Sequence, residues 1–372
     1  MKKLLLPFFL LCMLCCKDRY NPPVVSTNSS FLVVEGYLNG SGATTIQLSR
    51  TFKLADTARV VVEGSAQVRV ESNAGASYAL ANKGGGAYEA AQISFNPAQQ
   101  YRLRIVVPGN KEYLSDWVAY KVTPAIDSVN WRRTGEGVQT YVNTHDDRNG
   151  TIYYRWDYDE TWEFHSAYTT SLEYRNRMIV PRNSNINIYT CWQSQTSNRI
   201  LLGSSARLAR DVISMSPVTA IRQGSWMLSV RYSVIVRQYA LQEKAYQYWQ
   251  NMQKNTENLG SIFDPLPSEI SGNIHSVTDP AELVIGYVSA GTIQSKRIFI
   301  NSGEVSNWFY RDGCELLFTP NNRDSLEAYF GGGGYAPTDV AYNAFNVMGY
   351  NYSTIGCLDC RLRGTNVKPT FW

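Results

Sequence analysis

The sequence predicts a mainly β chain: an N-terminal Ig-like or transthyretin-like β-sandwich, then a larger β-rich domain carrying one amphipathic helix. Three observations support this. Apolar and polar residues alternate with period two through much of the chain. Short clusters of Gly, Asn and Ser interrupt the alternation at the spacing of strand turns. Only one long segment, residues 239–258, keeps its apolar residues at helical spacing.

The elements follow in order. Phe31 to Leu38 is β-branched and apolar, and Thr44 to Leu48 alternates. Ala66, Val68 and Val70 face one way while Gln67, Arg69 and Glu71 face the other. Tyr101, Leu103, Ile105 and Val107 alternate with Arg102 and Arg104. The turns 39–42, 73–75 and 84–86 separate these runs, the pattern of half-buried antiparallel strands in a small sandwich. We place this domain at 31–122, ending near Val122-Thr123-Pro124, and the second at 123–372.

The second domain is richer in aromatic residues. Strands are expected at 126–131, 138–143, 152–164, 186–192, 226–237, 281–288 and 296–300. Residues 239–258 contain no Pro or Gly; Leu241, Ala245, Tyr248, Trp249 and Met252 fall on one helical face. Gly260 supplies a stop, 264–267 (Asp-Pro-Leu-Pro) a rigid turn, and Gly331–Gly334 a flexible loop. No repeat of 20–50 residues is present.

The N-terminus reads MKKLLLPFFLLCMLCC. Lys2 and Lys3 precede an apolar run, Leu4 to Leu14, that has signal-peptide length and is too short to span a bilayer. The run ends at Cys15-Cys16, followed at once by polar Lys17-Asp18-Arg19. This resembles a bacterial lipoprotein signal: residues 1–15 would be removed, and Cys16 would carry the lipid. Two or more acyl chains anchor a protein stably, whereas one does not. Residues 16–30, with two prolines and many small polar residues, read as a flexible tether.

Losing Lys2 and Lys3 takes the formal charge from +4 to +2, too near neutral to suggest a nucleic-acid partner. Four cysteines remain besides Cys16: Cys191, Cys314, Cys357 and Cys360. An even number in an exported chain points to disulfides, with three possible pairings. Cys357-Leu358-Asp359-Cys360 also has the CxxC spacing of a redox motif or half a zinc site. Its loop-like neighbours and the isolation of Cys191 and Cys314 weigh against both.

Catalytic signatures are few. His145, His165 and His275 are scattered, without metal-ligand spacing. His145-Asp146-Asp147 has the composition of a polar turn. Asp157, Asp159 and Glu163 share one face of a strand that also carries Glu160. They are expected to face solvent, although a carboxylate pair for glycoside cleavage or a calcium site has similar ingredients. No G-x-S-x-G, G-x-x-x-x-G-K-[ST] or G-x-G-x-x-G occurs, and Gly331–Gly334 lacks the lysine that would meet a phosphate. No catalytic residue, metal or cofactor is assigned. The load of 25 Tyr and 9 Trp suits strand cores and binding surfaces alike.

Taken together, several landmarks resemble a known family. They are the lipoprotein cysteine followed by Tyr20-Asn21-Pro22-Pro23, Leu48-Ser49-Arg50-Thr51, Tyr153-Tyr154-Arg155-Trp156 ahead of Glu160-Thr161-Trp162-Glu163, Cys191-Trp192, residues 260–265, Lys296-Arg297-Ile298-Phe299-Ile300, and the Cys357–Cys360 tail running to Trp372. In that order they resemble domain-of-unknown-function family 4249, a family of outer-membrane lipoproteins. The resemblance implies an outer-membrane location, frequent genomic pairing with TonB-dependent receptors, and no established catalytic residues. The expected function is that of a non-enzymatic accessory lipoprotein, anchored to the membrane by its lipid and partnered by a TonB-dependent transporter. The alternative is a surface glycan-binding protein or hydrolase working from the acidic strand 157–163.

Overall fold

The computed structural model describes residues 30–52, 61–257 and 271–372. The signal peptide, Cys16, most of the tether, the Gly260 stop and the 264–267 turn lie outside the described residues. The rest is mainly strand, arranged in two β-sandwiches and a small C-terminal sheet.

The first sandwich begins with β1 (Leu32–Gly36), β2 (Thr44–Arg50), β3 (Gln67–Ser72), β4 (Ser77–Gly84) and β5 (Ala87–Ala90). It continues through β6 (Gln100–Val107), β7 (Lys111–Ser115) and β8 (Val118–Lys121). The alternation settles which side chains go inside. Val68, Val70, Tyr101, Leu103, Ile105 and Val107 are buried, each aliphatic side chain gaining roughly 1.5–3 kcal/mol from burial. Between them, outward-facing Arg102 and Arg104 pair with Glu71 at 2.8 and 2.7 Å across the β3–β6 ladder.

The second sandwich packs a three-stranded sheet on a longer one. The first sheet is β9 (Ile126–Thr134), β10 (Gly137–His145) and, after an excursion, β16 (Val212–Arg222). The second is built on β11 (Tyr153–His165). A hairpin, β12 (Leu172–Arg175) and β13 (Met178–Pro181), precedes β14 (Thr190–Thr196) and β15 (Leu201–Ser204), which pair along one edge of β11. β17 (Arg231–Leu241) pairs along the other edge. Helix α1 (Glu243–Glu257) follows.

The chain then goes back. β18 (Ile274–Ser276) pairs with β7, β19 (Val284–Ile285) runs parallel to β1, and β20 (Ala290–Gly291) runs parallel to β8. Ile274, Val284, Val288 and Ala290 are buried in the first core. The first sandwich is therefore not the contiguous stretch 31–122 expected from the sequence. Its open edges are filled from about 160 to 250 residues away in the chain, which removes unpaired backbone that would otherwise invite aggregation. β21 (Ile293–Asn301) returns to the second sandwich beside β17.

The C-terminal sheet contains β22 (Leu317–Pro320), β23 (Tyr335–Asn343) and β24 (Asn346–Thr354), with helix α2 (Arg323–Phe330) packed on it through Leu326 and Phe330. Disulfides join Cys191 to Cys360 and Cys314 to Cys357. The two CxxC cysteines therefore have different partners, and the motif works as a double staple that ties this sheet and the tail to β14.

Other expectations need correction. The expected helix start at Tyr239 is too early, because Tyr239–Leu241 still pair with β11 as strand until that partner begins at Tyr153. Residues 186–189 are not strand: the Asn187 side-chain oxygen accepts from the amides of Tyr189 and Thr190 and makes a turn instead. Residues 281–288 form strand only at Val284–Ile285. Helix α2 was not anticipated, although Asn322 caps it by accepting from the Ser325 amide.

Candidate ligand-binding site

β11 divides its side chains by parity. Tyr154, Trp156, Tyr158, Glu160, Trp162 and Phe164 point into the second core, and Arg155, Asp157, Asp159 and Glu163 point outward. The expected solvent-facing acidic set is thus split. Glu160 is only 2% exposed; it accepts from the Tyr232 hydroxyl, from Thr219 Oγ1 at 3.1 Å and from Gln195 Nε2 at 3.0 Å. A buried carboxylate satisfied in this way is a structural anchor. Outside, Asp157 and Asp159 share Arg237, which bonds both carboxylates from the neighbouring strand. The Arg237 guanidinium holds the Asp159 carboxyl below its ordinary value, against the opposing effect of burial.

The other candidates are also accounted for. His145 Nδ1 lies 2.8 Å from Asp127, and Asp146 accepts from the Arg148 and Gly150 amides, as a polar turn should. No group of three or more His, Cys, Asp or Glu among the described residues is placed to hold a metal. No described helix is long and apolar enough to cross a membrane.

The feature that sequence reading missed is a cleft of about 600 Å³ at the seam between the two sandwiches. This lies within the usual size range for small-molecule sites. One wall is β1 with the Tyr37 that follows it, together with the returning segment Ile285–Tyr287. Gly286 allows that segment to pass: its φ is +138°, and a Cβ there would sit 2.1 Å from the Val34 carbonyl oxygen. The opposite wall is α1, with Tyr239 and Arg155 from the end of the β11–β17 ladder. The helix is amphipathic, as its spacing predicts. Its face is shared, however: Ala245 and Tyr248 are buried, and Tyr248, Trp249 and Met252 line the cleft.

Aromatic rings organise the site. Tyr37 meets Tyr239 edge-on at 5.1 Å, and Tyr248 packs against Tyr287 at 5.2 Å. Arg155 is flanked by two rings, with its guanidinium carbon 4.3 Å from the Tyr239 centroid and 4.5 Å from that of Trp249. Each such contact contributes about 0.5–2 kcal/mol and holds the guanidinium in place. Burial pushes the Tyr248 phenol up to about 12, with the nearby Glu35 charge adding to it. Burial likewise raises Tyr37 and Tyr239, with the Arg155 charge opposing in both. These phenols therefore stay neutral hydroxyls at any physiological pH.

Such a site can hold a molecule with an apolar or aromatic body. The only hint in the sequence was the density of Tyr and Trp in 153–156 and 246–249, since the cleft joins positions up to about 250 residues apart. No curated protein matches the chain. The family model described as "Domain of unknown function (DUF4249)" matches residues 17–297, three quarters of the sequence and every residue lining the cleft, and the chain belongs to that family.

Proposed function

We propose that the protein is a non-enzymatic accessory lipoprotein of the outer membrane, held there by acyl chains on Cys16. It binds a small ligand in the seam cleft and works beside a TonB-dependent transporter. The observation that carries the binding part is the cleft itself: a sizeable, aromatic-lined cavity built where two sandwiches meet, the kind of place where ligand sites concentrate. Its lining falls within the stretch matched by the family model, while the C-terminal sheet lies beyond it. The anchor and the transporter partner rest on the lipoprotein-like N-terminus and on the family resemblance.

The other expectation, a surface hydrolase or glycan binder working from strand 157–163, draws no support from its carboxylates. Asp157 and Asp159 are held by Arg237 and Glu160 is buried.

Co-purification from native membranes tests the partnership. A tagged protein extracted in mild detergent should bring down a transporter of outer-membrane size, and recovery of the lipoprotein alone counts against it. Metabolic labelling with a clickable fatty acid tests the anchor: label should be lost in Cys16→Ser, and a variant that still incorporates it removes the assignment.

A further inference from the structure

We propose that the seam cleft selects an amphipathic monocarboxylate, a molecule with a flat apolar body and one carboxylate that meets Arg155. This rests on the reading of the cleft as a ligand site and names the ligand class.

Arg155 is under-used by the protein. A guanidinium carries five N–H donors in one plane. The Tyr239 and Trp249 rings flank this one and contact its π face, which leaves the donors at its edge. The described residues offer those donors one ion-pair partner, Asp157 Oδ2, 3.5 Å from Nη2. That carboxylate is already bonded by Arg237 Nε, the shorter contact of the two. The Arg155 side chain is 19% exposed, and it lines the cleft, so a bound ligand can reach donors that the protein leaves free. A cation fixed between rings at the wall of a cavity, with donors to spare, is a carboxylate receptor by geometry.

The rest of the lining sets what the carboxylate is attached to. Trp249, Tyr248 and Tyr287 present ring faces and edges, and Met252, Leu241 and Ile293 add aliphatic surface. A sugar would stack on the rings but bring no charge to the donors that Asp157 leaves free. A phosphate dianion would bring two charges into an apolar site that offers one cation, at a desolvation cost that a single partner does not offset. Glu35, also in the lining, makes a second negative charge less welcome still. One carboxylate on an apolar body matches both the walls and the charge.

A matched pair of probes separates this inference from the reading it rests on. The full chain in phospholipid nanodiscs is titrated calorimetrically with 2-naphthylacetate and with its neutral amide, with empty nanodiscs subtracted. The acid is expected to bind about tenfold or more tighter than the amide, the size of one charge-assisted hydrogen-bonded pair. Arg155→Gln should erase that difference while leaving the amide affinity in place, and Trp249→Ala should weaken both probes. Equal binding of acid and amide to the wild-type chain, with both weakened by Trp249→Ala, overturns the carboxylate and leaves the cleft as a site for neutral ligands. Binding of neither probe, or binding that Trp249→Ala does not touch, overturns the inference and removes the cleft from the proposed function too. The wild-type comparison decides the question even if Arg155→Gln folds poorly.

Discussion

The two sandwiches solve the same packing problem with different materials. The first fills its core with Val, Leu and Ile beside a few tyrosines, and sends its charges outward into a ladder of Arg–Glu pairs. The second sets six large aromatic side chains, from Tyr154 to Phe164 on β11 and Tyr232 on β17, among its Val, Leu and Ile, and brings polar atoms in with them. Trp156 donates to Gln238 at 2.8 Å, Tyr154 donates to Asp211, and Tyr232 donates to Glu160. An aliphatic core needs only shape and alternation. An aromatic core carries N–H and O–H groups that must find partners, so it needs a matched polar network as well. The seam cleft belongs to this second style, since its rings come mostly from the second sandwich and its helix.

The strongest way to break the comparison is to truncate one large residue in each core. Trp156→Ala should destabilise the second sandwich by about 3–5 kcal/mol from the cavity alone. It also strands the Gln238 carbonyl oxygen, which should carry the loss to the upper end of that range or beyond. Leu103→Ala in the first core should cost about 2–5 kcal/mol, with no polar group left behind. Eight of the nine tryptophans lie after residue 123, so tryptophan fluorescence in a urea titration follows the second sandwich, and strand circular dichroism in the same titration follows both. The Trp156 variant should shift the fluorescence transition more than the Leu103 variant shifts the transition of the first sandwich seen by circular dichroism. The opposite order would mean that the aromatic network adds nothing beyond packing.

A milder perturbation isolates the polar part. Glu160→Ala removes the acceptor for Tyr232, Thr219 and Gln195, and should cost about 3 kcal/mol through donors left unpaired. Glu160→Gln keeps an acceptor oxygen and most of the shape, and should cost about 1 kcal/mol. Equal losses in the two variants, measured by the same urea titration, would show that the charge and not the acceptor is what the core uses.

These contrasts also explain what the sequence made legible. Alternation revealed the first sandwich because Val68 and Val70 in β3, and Tyr101, Leu103, Ile105 and Val107 in β6, alternate with Arg69, Arg102 and Arg104. It revealed β11 less well: Glu160 sits on the inner parity, but a carboxylate there reads as a surface residue until its three donors are seen. Those donors come from β14, β16 and β17, and no local pattern announces them. The three strands from 274–291 that complete the first sandwich are two or three residues long, too short for periodicity to register. The cleft was invisible for the same reason: Tyr37, Arg155, Trp249 and Tyr287 become neighbours only when that return is made.

The smallest expected effect lies on the surface of the second sandwich, where His145 at the end of β10 meets Asp127 near the start of β9. The hydrogen bond and the negative charge of Asp127, with Asp147 adding to them, raise the imidazole above its ordinary value of 6.5. A raised value in the folded state means the fold binds the proton more tightly than the unfolded chain does. The stabilisation is therefore complete below about pH 6.5 and is lost as the pH climbs through the higher folded value. The side chain is exposed, so solvent and salt screen the pair. With only three histidines in the chain, proton NMR can follow each ring separately. The His145 resonance should titrate above 6.5, and Asp127→Asn should bring its midpoint down towards that value while the urea transition at pH 8 stays where it was. A midpoint that ignores Asp127→Asn would mean that the contact is not made in solution. A urea transition that moves with it at pH 8 would mean that polar contacts matter as much on the outside of this sandwich as within it.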